Sequence, residues 1–344
     1  MHPPTTRGII TQVTLCAATT GVNYACSCNT ALQQALDRGI PDLHQGMCQF
    51  PRGGQTLLSM SDFSMKDKDL ESGLARVETQ DLTYSEYLGL DAILGAQHPR
   101  ADPPHHDEML FIVQHQIAEL WFKLSLHELR AALDMIRNDH LEPCIKIIAR
   151  IKMVQQQLFS QWAVLETLTP VEYVQMRDVL GTASGFQSLQ YRQFEFALGN
   201  KNRSMLDIHG VGTAGGRALA EWLNRPSIYD EFLRHLARNG HDVPEDRVNR
   251  DWGEAYTSHP GVVKVFKRIY ENPQRYWDAY DVSEKLVDLE ENFQLWRFRH
   301  MKTVERIIGY KSGTGGSSGV PFLRRALEIQ FFPELLEVRT EIQA

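Results

Sequence analysis

Hydrophobic residues recur every three to four positions over most of the chain after Thr83, which is the spacing of one face of an α-helix. The same region contains no convincing run of alternating apolar and polar residues and no hairpin dipeptide between β-branched segments, so strands are not predicted. The pattern predicts helices over 106–139 and 143–168, and helical periodicity over 218–240 and 265–309, the last being the longest. The chain is therefore expected to be all-α, with mostly long helices.

A short helix is predicted after Thr169, and its boundaries are unusually clear. Thr169 is a typical N-cap residue, Pro170 fits the first helical position, and Glu172 at the third completes a capping box. Gly181 then provides a stop signal. This helix should be short and well fixed.

Tyr173 and Arg177 are four residues apart on that short helix, so their side chains project from the same face. A phenol and a guanidinium in this arrangement could hold a carboxylate. The alternative is a surface arginine paired with a nearby acid such as Glu172, an arrangement that contributes little to stability.

Length and charge narrow the class of protein. With 344 residues, 42% of them hydrophobic, the chain can form a sizeable core as one large domain or two ordinary ones. The net charge of −7 comes from scattered acids, and no Lys/Arg stripe is present, so nucleic acid is not an expected partner. No apolar run approaches the roughly 18 residues of a membrane span, and a soluble protein is expected.

Cysteine usage and composition separate the first part of the chain from the rest. Four of the five cysteines lie in the first sixty residues, and the fifth is Cys144. The remainder thus lacks a disulfide framework, which suits a reducing cytosol and predicts a cytoplasmic protein. No lysine precedes Lys66 and no acid precedes Asp37.

We interpret residues 1–65 as a leader or disordered extension, and 66–344 as the folded domain. A secretory signal fits poorly because polar residues interrupt the apolar run, whereas a transit peptide fits the missing acids better. The favoured interpretation is a non-native or disordered extension, with the working start at Met60 or Met65.

Two histidines lie on apolar helix faces. His300 belongs to a stripe at helical spacing whose other members are Leu286, Leu289, Phe293, Trp296, Val304 and Ile307. It could be a neutral core imidazole bonded to a backbone carbonyl, or an imidazole directed at a metal. From this helix alone the core histidine is favoured. His115 shares a face with Phe111 and Phe122, and two such histidines with aromatic neighbours make a purely structural role less usual, so both interpretations stay open.

Within the metal interpretation, a non-haem site is less favoured than a haem site. The run "HHDE" at 105–108, together with His115 and Glu119 at i, i+4, could supply a two-histidine, one-carboxylate triad. Asp107 and Glu108, however, fall at a helix start, where they already interact favourably with the helix dipole.

A glycine-rich loop follows the His300 helix at 311–319. It is not a phosphate-binding P-loop, because it follows a helix, its lysine precedes the glycines, and no strand leads into it. A flexible linker would have to join two domains, yet only about 25 residues follow, too few for one. The segment 181–202 likewise gathers glycines, hydroxyls and amides into a turn before a helix.

Several long motifs in collinear order resemble the tryptophan 2,3-dioxygenase family. They are "LTYSEYLGLDAILGAQ", "HHDEMLFIVQHQIAELWFK", "GFQSLQYRQFE", "QLWRFRHMKTVERIIG" and "GTGGSSG". The resemblance extends from about Leu82 to the C-terminal "FFPELLEVRT", and the segment before about Met60 has no recognised counterpart.

This resemblance implies a single haem-binding helical domain over 66–344 that assembles as a homotetramer. It implies haem b as cofactor, and L-tryptophan and O2 as substrates. The implied reaction cleaves the C2–C3 bond of the pyrrole ring to give N-formylkynurenine. A non-haem iron oxygenase and a non-catalytic helical scaffold are the alternatives.

The resemblance also implies roles for individual residues. His300 matches the axial ligand of the haem iron, His115 the distal histidine that binds the indole N–H, and Phe111 a wall of the indole pocket. The expected contacts to the substrate's carboxylate and amino-acid end are Tyr173, Arg177 and Thr314. An N-terminal segment carrying Tyr84, Tyr87 and Leu88 is expected to close the pocket of a neighbouring subunit.

His115 could act as a general base or only as a hydrogen-bond partner for the indole N–H. Because that N–H is very weakly acidic, positioning is favoured over proton abstraction.

Overall fold

The computed structural model of the protein describes residues 82–343. Within this range the chain forms α-helices, two 3₁₀ turns and connecting loops, without a strand, so the all-α prediction is confirmed. The leader predicted over 1–65 lies outside the described residues. The helices are, in chain order, α1 (Tyr84–Leu88), α2 (Leu90–Leu94), α3 (His106–Arg137), α4 (Leu141–Ser160), α5 (Trp162–Leu165), α6 (Pro170–Arg177), α7 (Leu189–Leu198), α8 (Met205–His209), α9 (Ala214–Leu223), α10 (Ile228–Arg238), α11 (Glu245–Val248), α12 (Pro260–Tyr270), α13 (Trp277–Ile308), α14 (Val320–Ala326) and α15 (Pro333–Glu341).

The three longest helices, α3, α4 and α13, form the centre of the fold. Helix α4 packs along both α3 and α13, while α7 and α10 pack against α3. Apolar side chains at three- to four-residue spacing fill the space between them, and their burial from water is the main stabilising contribution. Examples of fully buried side chains are Leu129, Leu133, Ile151, Leu286 and Leu289.

The long helix predicted over 106–139 is confirmed as α3, with Asp107 and Glu108 in its first turn. The helix predicted over 143–168 begins earlier, at Leu141, and is interrupted at Gln161. The Gln161 carbonyl accepts from the Val164 N–H three residues on and from the side chain of Gln114. These bonds tighten the backbone into a turn, and α5 begins there.

The helical run predicted over 265–309 is also broken. Helix α12 ends at Tyr270 and α13 begins at Trp277. Pro273 lies in the gap; it has no N–H to donate and disfavours helical geometry at the residue before it. Helix α13 was predicted to be the longest helix, but α13 and α3 both have 32 residues.

The short helix α6 has the predicted capping. The Thr169 backbone N–H donates to Glu172 Oε2 at 2.7 Å, and the Thr169 side chain accepts from the Glu172 N–H. A 3₁₀ turn over Asp178–Leu180 follows, and Gly181 ends it with a φ of 52°, a conformation that favours glycine. The prediction from local sequence is confirmed here.

None of the helices in residues 82–343 combines the length and the apolar character that crossing a membrane requires.

Candidate active site

Helices α3 and α13 bring His115 and His300 into one region. Burial, and secondarily the charge of His115, lowers the pKa of His300 to about 4. Gln114, the neighbour of His115 in α3, donates to the Gln161 carbonyl, and the next residue, Trp162, stacks on His300. The two histidines therefore lie in the same region, although they come from opposite ends of the domain sequence. His300 is therefore neutral at ordinary pH and can offer a nitrogen lone pair to a metal.

His300 is not the carbonyl-bonded core histidine that its helix alone would allow. Neither of its ring nitrogens has a hydrogen-bond partner among residues 82–343, and the side chain remains partly accessible. It instead contacts two indoles: the Trp162 ring is stacked on it, and the Trp296 ring is tilted against it. A partly accessible, neutral and unpaired imidazole among aromatic side chains could serve as a metal ligand.

His115 has a defined tautomer. Its Nδ1 lies 2.7 Å from the backbone carbonyl oxygen of Phe111, so Nδ1 carries the proton and Nε2 is left as an acceptor. Burial is the main cause that lowers the pKa of His115, against the opposing effects of the Phe111 bond and the charge of Glu119. The imidazole is thus neutral and can accept a hydrogen bond.

An aromatic wall continues from His115 towards α6. The Phe111 ring lies 4.1 Å from the His115 ring and 6.2 Å from the Tyr173 ring, measured between centroids. Tyr173 is buried, which raises the pKa of its phenol and keeps it a neutral donor. Phe111, His115 and Tyr173 therefore lie together.

Arg177 does not form the surface ion pair that was the alternative to a binding role. Glu172 is engaged in the helix cap, and Arg177 Nη2 donates to the Ser312 carbonyl oxygen at 2.6 Å. The guanidinium is thereby linked to the glycine-rich loop 311–319. Helix α6 and this loop lie side by side.

The loop 311–319 also contacts the turn before α7. Thr314 Oγ1 donates to the Ala183 carbonyl oxygen at 2.6 Å. Gly315 lies so close to Ser184 that a Cβ atom added to it would be 2.7 Å from the Ser184 Cβ. The loop is therefore held between Arg177 and the 183–188 segment, and its glycine permits the close approach.

Glu119 has a role that its sequence position did not predict. Its side chain accepts from Ser188 Oγ at 2.5 Å and from Gln190 Nε2 at 2.8 Å. It therefore ties α3, one turn after His115, to the start of α7. The i, i+4 spacing had suggested a metal ligand, whereas its real partners are distant in sequence.

The described residues do not assemble the non-haem triad that was considered as an alternative. No group of three or more His, Cys, Asp or Glu side chains in residues 82–343 could hold a metal ion. The carboxylate of Glu108 accepts from the backbone N–H groups of Arg100 and Ala101 instead.

The apolar side chains of the N-terminal helix α1 are exposed in the single chain. The side chains of Tyr84 and Tyr87 are each 76% exposed, and Leu88 is 39% exposed. The segment after α2 is anchored near the site, because Gln97 Nε2 donates to Gln116 Oε1 at 2.6 Å, beside His115. The exposed N-terminal segment is therefore attached next to the site, and we call residues 82–95 the N-terminal arm.

Periodicity and motifs in the sequence did not predict that Trp162 is a neighbour of His300. It lies in α5, the short helix that the periodicity had merged with α4. Trp162 follows directly on the helix break at Gln161, and no local sequence motif predicts that break.

Known proteins resemble this chain over most of its length. A family model described as tryptophan 2,3-dioxygenase matches residues 68–209 and 261–342. The tryptophan 2,3-dioxygenase of Serratia proteamaculans is 57% identical over 280 residues, which cover 81% of this chain and all of the relative. The tryptophan 2,3-dioxygenase of Kineococcus radiotolerans is 58% identical over 80% of this chain, and that of Myxococcus xanthus is 56% identical over 81% of this chain. In both cases the match covers 96% of the relative.

Proposed function

The chain belongs to the tryptophan 2,3-dioxygenase family, and from this premise we propose that it is a haem-dependent enzyme that cleaves the C2–C3 bond of the L-tryptophan pyrrole ring with O2. Both oxygen atoms enter the product, N-formylkynurenine. The observation that carries the proposal is the pair of neutral imidazoles: His300 without a protein partner, and His115 near it with a free acceptor nitrogen.

His300 would hold the haem as its axial ligand. The fit rests on three properties of this residue: it is neutral above a pKa of about 4, its ring nitrogens lack partners among residues 82–343, and its ring packs against two indoles. The haem iron supplies the activation of O2 when it is bound. The protein supplies binding, orientation and polarity.

His115 would hold the indole. Because its Nδ1–H donates to the Phe111 carbonyl, its Nε2 can accept the indole N–H. The Phe111 ring, 4.1 Å from the imidazole, would form a wall against the flat face of the substrate. We assign His115 a positioning role, in which one hydrogen bond selects the edge of the indole that faces the reactive centre.

Arg177 and Tyr173 would bind the substrate carboxylate. The bond from Arg177 to the Ser312 carbonyl indicates that the guanidinium already meets an acceptor oxygen in this position. A carboxylate would be a stronger acceptor, because charge-assisted bonds are roughly twice as strong as neutral ones. Thr314, on the same loop, would contact the amino-acid end of the substrate.

We further propose a homotetramer in which Tyr84, Tyr87 and Leu88 complete the pocket of a neighbouring subunit. Their exposure in the single chain supports this role, since apolar side chains on an arm rooted beside the site would be covered in an assembly. We also propose a cytoplasmic enzyme, because Cys144 is a buried free thiol and the family domain has no other cysteine.

Reconstitution with haem tests this function. The protein is expected to bind one haem per chain, to show a Soret band, and to form N-formylkynurenine from L-tryptophan and O2. His300→Ala should lose the axial ligation and the activity, whereas His127→Ala, which removes an exposed histidine of α3, should retain both. Equal spectra and activity in the two variants would contradict the assignment.

A further inference from the structure

The rings of Trp162 and His300 lie flat against each other. Their centroids are 4.9 Å apart and their planes differ by 10°. Trp296 meets the same imidazole at 5.4 Å with a tilt of 40°. Both indoles are almost fully buried, 8% and 6% exposed, and their own ring centroids are 5.7 Å apart, so together they form one aromatic surface against His300.

Hydrogen bonding does not explain why an indole occupies position 162. The Trp162 Nε1–H is buried and has no partner among residues 82–343. An unpaired buried donor typically costs about 1–3 kcal/mol, and such groups call for an explanation. What Trp162 offers at this position is the flat face of its ring.

The turn that carries Trp162 is fixed to the helices on both sides. Gln114 of α3 donates to the Gln161 carbonyl at 2.8 Å. Glu166 accepts two bonds from Arg299 and one from Thr303 Oγ1, each at 3.0 Å. Because these two α13 residues flank the histidine in sequence, the turn is docked at the level of the His300 ring.

An axial histidine is usually oriented by a hydrogen bond from its second ring nitrogen to a carboxylate, carbonyl or water. The described residues provide no such protein partner for His300. Rotation about the Cβ–Cγ bond of histidine is otherwise weakly restricted, since its energy profile is broad and roughly two-fold. The flat face of the Trp162 indole, stacked on the imidazole, restrains this rotation.

We propose that Trp162 is a positioning residue whose stacked indole sets the plane of the His300 imidazole and so holds it ready to bind the iron. This inference rests on the proposed function, because it assumes that His300 is the axial ligand. Trp162 acts through His300 and touches neither tryptophan nor O2 in this role. This positioning role requires the flat ring of Trp162 and does not use its indole N–H.

The test compares Trp162→Phe, which keeps a flat ring, with Trp162→Leu, which keeps only an apolar side chain. Trp222→Leu is the matched control, because it removes a fully buried indole from α9. The readouts are the iron–histidine stretching band of the ferrous haem protein and the rate of haem transfer to an acceptor apoprotein. If Trp162→Leu is insoluble, Trp162→Met carries the same expectation.

Trp162→Leu should broaden or split the iron–histidine band and speed haem loss about 10- to 100-fold, the usual effect of removing an orienting partner. Trp162→Phe and Trp222→Leu should keep the single band and the slow transfer. A Trp162→Leu protein with wild-type band and transfer rate would overturn the positioning role. A wild-type protein without an iron–histidine band, by contrast, would overturn the proposed function itself.

Discussion

His115 Nδ1 and the carbonyl oxygen of Phe111, one helical turn earlier, are 2.7 Å apart. Because the carbonyl can only accept, this contact fixes the proton on Nδ1 and leaves Nε2 with a lone pair. The side chain could therefore receive the indole N–H only in its neutral form. This requirement makes the protonation of His115 visible in the pH dependence of catalysis.

The value of kcat/KM for L-tryptophan should reach its plateau at a lower pH than it would if His115 titrated as an ordinary histidine. Burial lowers the pKa of His115 below its ordinary value of 6.5, so protonation begins only under more acidic conditions. As the pH falls through that lowered pKa, Nε2 gains a proton, the acceptor is lost, and kcat/KM declines. Measurement from pH 5 to 8 checks this expectation.

His115→Ser separates positioning from proton abstraction. If His115 only positions the indole, the variant should retain substantial turnover and lose the acid limb of the pH profile. A loss of activity beyond about 10⁴-fold, the upper range for general-base catalysis, would contradict positioning. If the decline in kcat/KM at acidic pH were unchanged in the variant, the titration of another group would be responsible for it.

Arg177→Ala should weaken the binding of L-tryptophan strongly. Truncating one member of a buried charge pair costs about 2–5 kcal/mol, so KM should rise by about 30-fold or more. Competition by tryptamine, which has no carboxylate, serves as the control and should be much less affected. Equal effects on the two ligands would show that Arg177 acts by holding the loop at Ser312 rather than by binding the carboxylate.

Gly315→Ala should impair substrate binding through the loop 311–319. The new methyl group would lie 2.7 Å from the Ser184 Cβ and push the loop away from the 183–188 segment, so the KM for L-tryptophan should rise. Gly185→Ala is the matched control, because its methyl group would meet no atom within 4 Å. A KM unchanged by Gly315→Ala would mean that the close contact is not needed for binding.

Amide hydrogen exchange in 311–319 should slow when L-tryptophan binds. Without ligand, one hydrogen bond from Arg177 to Ser312 and one from Thr314 to Ala183 hold the loop. L-tryptophan would add contacts to Arg177 and Thr314. Thr314→Ala should reduce this protection. Equal exchange rates with and without L-tryptophan would contradict a role of the loop in closing over the substrate.

Mixed oligomers test whether the N-terminal arm acts between subunits. Coexpression would combine a subunit carrying Tyr84→Ala and Tyr87→Ala with a second subunit carrying His300→Ala. If the arm completes a neighbour's pocket, the intact arm of the second subunit should restore activity at the intact haem site of the first. A second subunit that also carries the arm substitutions should not restore activity, and equal activity of both mixtures would contradict the shared site.

Local sequence signals predicted the parts of the fold that local interactions determine. The capping box of α6 involves residues three positions apart, and the apolar stripe containing His300 follows directly from helix geometry. Family resemblance supplied the roles of individual residues. The observed proximity of Phe111, His115 and Tyr173, and of Arg177 to the loop, agrees with it.

Contacts between distant segments could not be predicted in this way. The break at Gln161 depends on a side chain from α3, and the stacking of Trp162 on His300 follows from that break. Glu119 had been considered as a metal ligand because of its spacing from His115, whereas its bonds to Ser188 and Gln190 require the folded chain. Helical periodicity describes which face is buried and does not identify the partner.

The most direct test of the haem dioxygenase function is an anaerobic titration of the ferrous protein with L-tryptophan, followed by addition of O2. The Soret band should shift to a saturable end point as L-tryptophan binds, and N-formylkynurenine should appear by absorbance only after O2 is added, one molecule for each tryptophan consumed. A haem spectrum that does not respond to L-tryptophan, together with no product after O2, would contradict the function.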